Sequence, residues 1–206
     1  MARVNPSQNL LKKYWSKGYQ FVVGVDEVGR GSLAGPVTVA AVLLPHKARL
    51  PGVRDSKQLT LNQREKLAVK IKKTAIAFSI GWASHEEIDQ EGLTKALKLG
   101  AKRALKDLAV QHRIDFIILD GKHNYLPKKY LSQAIIRSDE FCLPVSCASI
   151  IAKVARDQYM RRQHILYPEF GFESNVGYGT AEHRAKIAEK HSPIHRRSFA
   201  PLKKNI

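Results

Sequence analysis

Hydrophobic residues along this chain fall into short apolar runs and longer segments in which apolar and polar positions alternate with helical spacing. The short runs are rich in β-branched residues, as in buried strands. They predict strands over residues 21–25, 37–44, 75–83 and 116–119 and, from a weaker pattern, 133–137. Apolar residues three and four positions apart predict helices over 60–73, 93–109, 144–167 and 180–190, with a short helix near 10–15.

Several residue types mark where these elements begin and end. Thr60 followed by Gln63 has the form of a capping box, which starts a helix. Gly92 precedes the second helix and Pro168 ends the third, because proline cannot continue a helix. The glycine-bearing stretch 171–179 that follows is predicted to be a loop. The loop between the first two strands is short, so we expect those strands to pair antiparallel.

The order of the elements predicts an α/β or α+β fold with a mixed sheet, since strands come first and then alternate with helices. The 206 residues fit a single domain, 1–206, in which about the first 20 form a basic lead-in. We find no internal repeat and no low-complexity tract.

Charge narrows the class of partner. Lys and Arg number 35 against 18 Asp and Glu, which gives a net charge of +17. An excess of this size favours a polyanionic partner, with nucleic acid ahead of an acidic membrane surface. We expect no stable membrane association, because the longest apolar run, 37–44, is far too short to span a bilayer. No signal-peptide pattern is found in the first 20 residues, and we expect a cytoplasmic location.

The two cysteines, Cys142 and Cys147, are too few for a disulfide framework. They also lack neighbouring ligand pairs of the kind that a zinc site uses. We therefore expect both thiols to be reduced and packed.

Acidic residues follow three of the apolar strands. Asp26 and Glu27 come directly after 21–25, Asp120 follows 116–119, and Asp139 stands near the end of 133–137. Strand ends of an α/β sheet are a common place for a site, and a two-metal phosphoryl-transfer site needs such a cluster of oxygen ligands. Successive strand side chains face opposite ways, so Glu27 is available through either its side chain or its carbonyl oxygen.

The turn after the first acids is Gly29-Arg30-Gly31. Glycine lets the backbone approach a ligand closely. The guanidinium of Arg30 offers a fork of donors suited to a phosphate or a sugar edge.

At this point the chain resembles the ribonuclease HII family, the type 2 ribonucleases H, over about residues 20–202. Several motif blocks in the right order carry the resemblance: Gly24-Val25-Asp26-Glu27-Val28-Gly29-Arg30-Gly31, Asp55-Ser56-Lys57, Asp120-Gly121, Ser138-Asp139, 148–154, Gly177-Tyr178-Gly179-Thr180 with His183, and His195-Arg196.

The resemblance implies a ribonuclease H-like mixed sheet flanked by helices, with a C-terminal helical extension over about 168–206 that contributes to substrate binding. It implies hydrolysis of the RNA strand of RNA–DNA hybrids and incision 5′ to single ribonucleotides in duplex DNA. The products would carry 3′-hydroxyl and 5′-phosphate ends, and the cofactor would be Mg²⁺ or Mn²⁺. The catalytic and metal-binding acids would be Asp26, Glu27, Asp120 and Asp139.

The same resemblance implies the substrate contacts. Gly29, Arg30 and Gly31 would read the ribose 2′-hydroxyl, and Tyr178 would sense the junction with DNA. Lys57 and Lys153 match basic positions of the family, where they would hold phosphates or orient the acids. The alternative role for these two lysines is a surface salt bridge. We expect a monomer whose partners are RNA–DNA hybrid and ribonucleotide-containing DNA.

The chain departs from the family pattern away from the acids. Asn175-Val176 stands where His-Lys is usual, Lys122 where Asn is, and Lys102 where Met is common. The missing lysine at 176 removes a phosphate contact, and this bears on substrate affinity. A type 3 enzyme would carry Gly-Ser-Gly in place of Gly29-Arg30-Gly31.

Two other readings remain open. The charge alone fits a non-catalytic protein that binds structured RNA, although that class gives no reason for acids at three strands. Another nuclease of the same superfold, such as a resolvase or transposase, would also use clustered acids, but it would not need Gly-Arg-Gly beside them.

Overall fold

A five-stranded mixed sheet forms the centre of the molecule. The computed structural model describes residues 5–54, 56–200 and 202, and at Lys57 the backbone only. The strands lie in the order β3-β2-β1-β4-β5, where β1 pairs antiparallel with β2 and parallel with β4. Their bounds are Val22–Val28 (β1), Val37–Leu43 (β2), Ala77–Ala83 (β3), Phe116–Asp120 (β4) and Ser132–Ile135 (β5). The predicted mixed α/β sheet and the antiparallel first pair are confirmed.

Helices cover both faces of this sheet. Their bounds are Asn9–Trp15 (α1), Leu61–Thr74 (α2), His85–Glu91 (α3), Leu93–Gln111 (α4), Leu143–Leu166 (α5), Phe172–Asn175 (α6) and Ala181–Glu189 (α7). Short 3₁₀ turns span Ser56–Gln58, Ser138–Glu140 and Pro168–Phe170. No helix among the described residues is both long and apolar enough to cross a membrane.

The capping box predicted at Thr60 is present. Its hydroxyl accepts from the Gln63 amide N–H, and the Gln63 side chain accepts from the Thr60 N–H. A second capping box, from Ser84 to Glu87, starts α3, a helix that the apolar pattern did not predict. A single apolar residue, Ile88, is buried in α3, so the helix has no apolar stripe to give it away.

Three predicted boundaries were wrong in ways that matter for the site. The first strand does not end at Val25 but continues to Val28, so Asp26 and Glu27 lie inside β1. The last strand ends at Ile135, and Asp139 lies in the 3₁₀ turn Ser138–Glu140 instead of at a strand end. The loop predicted over 171–179 contains the four-residue helix α6.

Close backbone contacts set how near the two long helices lie to the sheet. A Cβ at Gly24 of β1 would collide with the backbone of Pro144 and Val145 in α5. A Cβ at Gly81 of β3 would likewise collide with the Gly100 backbone of α4. Helices α4 and α5 therefore pack on opposite faces of the sheet, each over a separate apolar cluster.

The C-terminal segment folds back onto the chain that follows the Gly29-Arg30-Gly31 turn. Ala34 forms an isolated antiparallel bridge with His195, and the Arg196 N–H donates to the Leu33 carbonyl. On its other side, the Leu33 N–H donates to the Gly177 carbonyl. Residues 33–35 are thus held between the loop before α7 and the C-terminal segment.

Both cysteines are buried and free of disulfide bonds, as predicted. Burial raises the pKa of the Cys142 thiol to about 12, so this thiol stays protonated and unreactive at neutral pH.

Candidate active site

The four predicted acids line one open cavity. Asp26 and Glu27 come from β1, Asp120 is the last residue of β4, and Asp139 lies in the 3₁₀ turn before α5. Because β1 and β4 are parallel neighbours, their carboxyl ends meet at one edge of the sheet. The cavity has a volume of about 490 Å³, and its walls also include Arg30, Ser56, Ser149, Lys153 and Tyr178.

Asp26 points to the face of the sheet that α5 covers. Its side chain is hydrogen-bonded by Ser149 of α5, and the residue is only 6% exposed. Its Oδ1 also accepts from the Glu27 N–H at 2.8 Å. Burial raises the pKa of Asp26 well above its ordinary value, and the charge of Glu27 adds to this, followed by the charges of Asp120 and Asp139. A carboxyl group held this way gains most from a nearby cation.

Asp120 and Asp139 meet beside it. Oδ1 of Asp120 accepts from the Ser138 hydroxyl at 3.3 Å and from the Asp139 N–H at 3.5 Å. The Asp139 carbonyl accepts from the Ser146 hydroxyl of α5 at 2.6 Å. The 3₁₀ turn therefore positions Asp139, as we had expected a strand end to do. It can do so because hydrogen bonds fix it to both β4 and α5.

Glu27 lies on the opposite face of β1, as the alternation of a regular strand requires. Its Oε2 accepts from the Tyr125 hydroxyl at 2.7 Å, and its Oε1 pairs with the Arg30 guanidinium at 2.8 Å. Tyr125 belongs to the apolar cluster under α4. Tyr125 and Arg30 thus hold the Glu27 carboxylate on the face of β1 opposite the Asp26 side chain, where its charge still raises the Asp26 pKa.

The two glycines of the Gly29-Arg30-Gly31 turn have different reasons to be glycine. Gly29 has a φ of +93°, and a Cβ there would collide with the Arg156 side chain and the Pro36 carbonyl. At Gly31, by contrast, a Cβ would meet no atom within 4 Å. The fold therefore requires the first glycine but leaves the second one open to solvent, where a ligand could approach the backbone.

Two fully buried arginines, which the sequence analysis assigned no role, hold this turn in place. Arg156 of α5 donates to the carbonyls of Pro36, Ala34 and Val176 at 2.8–3.0 Å. Arg196 donates to the carbonyls of Gly35 and Arg30 at 2.8 and 3.3 Å. A guanidinium can serve several carbonyls at once because its five N–H donors lie in one plane. Their partners are backbone groups far away in the sequence, so the motif block that contains Arg196 does not reveal which carbonyls these arginines hold.

Tyr178 and Lys153 lie together on the cavity wall. The Lys153 ammonium is 5.5 Å from the centre of the Tyr178 ring, and the Arg156 guanidinium is 5.6 Å from it. Lys153 also forms a 2.8 Å ion pair with Asp157. The alternative role predicted for Lys153, a salt bridge, is therefore present, and Lys153 also lines the cavity. Asp55 and the side chain of Lys57 lie outside the described residues.

Asn175 and Val176, where the chain departs from the family pattern, build the turn before Tyr178. The buried Asn175 side chain donates to the Phe170 carbonyl and accepts from the Gly177 N–H, both at 2.7 Å. Val176 has a φ of +42°, a left-handed conformation that is strained for a β-branched residue. Its carbonyl accepts from Arg156. These residues therefore fix the position of residues 176–180, the loop that carries Tyr178, which we name the tyrosine loop.

The basic C-terminal region is less available to a ligand than its composition indicates. Arg196 is fully buried, and Lys186 and Lys190 form ion pairs with Glu189 and Glu169.

A cavity of about 390 Å³ on the α4 side, by contrast, is lined by Lys98, Lys102 and Lys128 together with Asn124 and Tyr125. We name it the lysine cavity. Tyr125 joins the two cavities, since its hydroxyl reaches Glu27.

The oxygen-rich cavity suits hard divalent cations such as Mg²⁺ or Mn²⁺, whose preferred ligands are carboxylates and water. Within the described part of the chain, no three Asp, Glu, His or Cys side chains converge into a ready-made metal cage. Mg²⁺ sites in phosphoryl-transfer enzymes are commonly completed by waters and substrate phosphate oxygens. The separate carboxylates of Asp26, Asp120 and Asp139 fit that type of site.

Comparison with known proteins identifies the family. A sequence profile described as Ribonuclease HII matches residues 23–202. The ribonuclease HII of Desulfitobacterium hafniense is 46% identical over 198 residues, which cover 95% of this chain and 74% of that protein. The ribonuclease HII of Thermosynechococcus vestitus is 50% identical over 188 residues, which cover 90% of this chain and 86% of that protein.

Solved structures agree with the sequence matches. The ribonuclease H2 of Pyrococcus horikoshii superposes with a TM-score of 0.74 at 28% identity, over 89% of this chain and 96% of that one. The RNase HII from the Archaeoglobus fulgidus complex with PCNA gives 0.72 at 25% identity, over 87% and 95% of the two chains. The chain therefore belongs to the ribonuclease HII family, metal-dependent endonucleases that cleave RNA in RNA–DNA hybrids.

Proposed function

We propose that this enzyme hydrolyses the RNA strand of RNA–DNA hybrids and also incises duplex DNA on the 5′ side of a lone ribonucleotide. The observation that carries the proposal is that Asp26, Asp120 and Asp139 share one cavity wall with Arg30 and Tyr178. Acids that suit divalent cations thus lie beside groups that can contact the sugars on both sides of a phosphate. We further propose that the enzyme acts as a monomer in the cytoplasm.

The residues that would hold Mg²⁺ or Mn²⁺ are Asp26, Asp120 and Asp139 through their carboxylates, with Glu27 beside them. When bound, two such cations neutralise charge on the attacking and leaving oxygens of a phosphodiester. Asp26 would gain most from a bound cation, because burial and three neighbouring acids already disfavour its charge.

The backbone of Glu27 is a better metal-ligand candidate than its side chain. Tyr125 and Arg30 already occupy the two carboxylate oxygens. The Glu27 carboxylate would instead orient the Arg30 guanidinium, since the two form an ion pair at 2.8 Å. Of the two possibilities that the sequence left open, this arrangement favours the carbonyl oxygen.

The reaction needs water to attack the phosphorus and the bond to the 3′-oxygen to break. The water oxygen becomes part of the new 5′-phosphate, and the 3′-oxygen leaves and takes up a proton as a hydroxyl. Lys153 lies in the same cavity and can contact a neighbouring phosphate oxygen. Because its ammonium group already pairs with Asp157, it would then be shared between Asp157 and the phosphate. We assign Lys57 the same kind of contact from the sequence alone.

Selection for RNA depends on one hydroxyl, because only the 2′-hydroxyl separates ribose from deoxyribose. The exposed backbone at Gly31 and the donors of Arg30 can bind that hydroxyl, and Gly29 keeps the turn in the required conformation. A site built for a hydroxyl rejects an analogue without it, since its polar groups are then left unpaired. The Tyr178 ring can stack on the deoxyribose across the junction.

The decisive assay uses three duplexes of one sequence: a lone ribonucleotide in DNA, a full RNA–DNA hybrid and all-DNA. With Mg²⁺ we expect one cut on the 5′ side of the lone ribonucleotide, several cuts in the hybrid and none in all-DNA. With a chelator we expect no cuts. Absence of metal-dependent cleavage would favour the RNA-binding alternative, cleavage of all-DNA would favour a resolvase-like nuclease, and an uncut lone-ribonucleotide duplex would refute junction incision.

A further inference from the structure

A buried pair of histidines lies behind the tyrosine loop. Nε2 of His183 in α7 is 3.0 Å from Nε2 of His195 in the C-terminal segment, and both residues are 1% exposed. The edges of the His183 ring and the His195 ring pack against Phe172 and Phe170, respectively. Neither ring lines the catalytic cavity, so the pair has no part in the proposed chemistry itself.

The hydrogen bonds fix which nitrogens carry protons. Nδ1 of His183 lies 2.9 Å from the Tyr178 carbonyl, which only accepts, so this nitrogen is protonated. Nδ1 of His195 lies 2.9 Å from the Ser192 N–H and 2.8 Å from the Ser192 hydroxyl, both of which can donate to it. Its contact with the Ser192 carbonyl is longer, at 3.3 Å, so we place the His195 proton on Nε2. One proton therefore lies between the two rings, donated by His195 and accepted by His183. A second proton there would place two N–H groups face to face.

This arrangement connects the two sugar-contacting parts of the site. His183 holds the carbonyl of Tyr178. His195 is bridged through its backbone to Ala34, a few residues after the Gly29-Arg30-Gly31 turn. The Arg196 side chain next to it donates to the Arg30 carbonyl. A path thus runs from the tyrosine loop through the hydrogen bonds of both imidazoles and then along the main chain of His195 and Arg196 to the turn. It lies beside the direct bond from the Leu33 N–H to the Gly177 carbonyl.

We propose that His183 and His195 are positioning residues that act as one neutral pair and set the spacing between Tyr178 and the Gly29-Arg30-Gly31 turn. This rests on the proposed function, in which those two elements read the sugars on either side of the cleaved phosphate. Cleavage at a lone ribonucleotide needs both contacts at once, whereas a long hybrid offers ribose at every position. The pair therefore contributes more to junction cleavage than to hybrid cleavage.

The charged surroundings of the pair favour its neutral form. Burial lowers the pKa of His195 to about 4, and the neighbouring His183, His191 and His85 add to this. Burial also lowers the pKa of His183, partly offset by its bond to the Tyr178 carbonyl. Among the described residues, no carboxylate is hydrogen-bonded to either ring, so only backbone carbonyls, and no hydrogen-bonded negative charge, offset a positive charge there.

The first experiment reads the protons directly and does not depend on activity. Proton–nitrogen correlation spectra of ¹⁵N-histidine-labelled protein report the tautomer of each ring. We expect His183 as the Nδ1–H form and His195 as the Nε2–H form, both neutral at pH values below the ordinary histidine pKa of about 6.5. The opposite tautomer on either ring, or a charged ring at neutral pH, would overturn the pair.

The second experiment cuts the path at chosen points. His183→Asn keeps a donor where Nδ1 was but loses the link to His195, and His183→Gln does the reverse. For both variants we expect the ratio of lone-ribonucleotide to hybrid cleavage to fall about tenfold, as for loss of one buried hydrogen bond. His195→Gln keeps the donor toward His183 and should retain most of the ratio, whereas His195→Leu should lose it. His191→Gln, an exposed neighbour, is the control.

The outcomes distinguish failure of the inference about the histidine pair from failure of the proposed function on which it rests. If His183→Asn or His195→Leu folds and keeps the wild-type ratio, the histidines only fill space and the inference fails. Tyr178→Ala is measured in parallel on the same two duplexes. If Tyr178→Ala also leaves the ratio unchanged, the junction role of the tyrosine fails; if Tyr178→Ala lowers the ratio and the histidine variants do not, only the present inference fails.

Discussion

The hydroxyl of Tyr125 donates a 2.7 Å hydrogen bond to Oε2 of Glu27, across the face of β1 that lies away from Asp26. This bond joins the loop after β4 to the catalytic strand. It also raises the pKa of Tyr125, after the larger effects of burial and the Glu27 charge. Tyr125 thereby holds the Glu27 carboxylate in its ion pair with Arg30.

Replacing Tyr125 with Phe removes this bond and leaves the ring in place. We expect the free energy of unfolding to fall by about 1–3 kcal/mol, the range for a hydrogen bond to a charged group. Hybrid cleavage should fall several-fold because Arg30 loses its fixed partner. Urea unfolding and steady-state kinetics measure the two effects. Tyr130→Phe, whose hydroxyl makes only a 3.5 Å contact with a carbonyl, is the matched control and should change neither quantity.

Asp26→Asn separates catalysis from stability. The folded state raises the pKa of Asp26, so it binds a proton more tightly than the unfolded chain does. Stability therefore falls as pH rises from the ordinary aspartate pKa of about 3.9 through the raised pKa of the folded state. With Mg²⁺ present, Asp26→Asn should abolish cleavage. Without divalent cations, the same variant should raise the Tm at pH 7 by roughly 2–4 °C.

The Tm difference between Asp26→Asn and the wild type should shrink toward pH 4, where the wild-type carboxyl of the folded state is protonated. Differential scanning calorimetry across this pH range checks the sign, and Asp107→Asn, an exposed carboxylate on α4, is the control. A variant that cleaves at the wild-type rate, or that melts well below the wild type, would contradict the assignment.

The glycines at 29 and 31 should respond differently to alanine. Gly29→Ala forces a positive φ on a residue with a side chain and a collision with Arg156, so we expect a loss of about 2–4 kcal/mol. Gly31→Ala should stay within about 0.5 kcal/mol of the wild type and yet cut hybrid more slowly, because the methyl group blocks the backbone. Chemical unfolding and cleavage rates are compared. Equal stability losses would mean that the fold requires both glycines.

The lysine cavity should contribute to duplex affinity. Each phosphate contact adds about 0.9 to the slope of log affinity against log salt. Replacing Lys98, Lys102 and Lys128 together with Gln should therefore lower that slope by about 2–3. The control is the equivalent triple change at exposed lysines near the opposite end of β1, namely Lys12 and Lys13 on α1 and Lys17 in the turn that follows it. Fluorescence anisotropy on a non-cleavable duplex measures both, and equal slopes for the two variants would remove the cavity from the binding surface.

Tyr178→Ala tests the junction contact. The ring lies on the cavity wall beside Lys153, and its removal deletes one stacking surface worth about 1–3 kcal/mol. We expect cleavage at a lone ribonucleotide to fall at least about fivefold further than cleavage of a long hybrid. Tyr178→Phe, which keeps the ring, should stay near the wild type. Equal losses on both substrates for Tyr178→Ala would show that the ring serves general binding.

Much of the fold could be predicted from the sequence because its signals are local. The β-branched runs predicted the strands, and helical spacing predicted α2, α4, α5 and α7 within a few residues. The capping box at Thr60 was confirmed in both of its bonds. α3 was missed, since only Ile88 is buried in it and burial of a single residue leaves no periodic pattern.

The sequence by itself determined the family and the sheet class and pointed to four candidate acids, because these depend on motifs that are contiguous in the chain. Tertiary structure alone decided which way each acid faces and what holds it. The side chains of Glu27 and Asp26 lie on opposite faces of β1 because β1 continues as a regular strand to Val28. On the Glu27 face, the Tyr125 hydroxyl donates a hydrogen bond to the Glu27 carboxylate. Arg156, Arg196 and the histidine pair serve partners up to 166 residues away. Such contacts leave no local pattern, because each depends on where the packed helices bring a distant backbone carbonyl or ring.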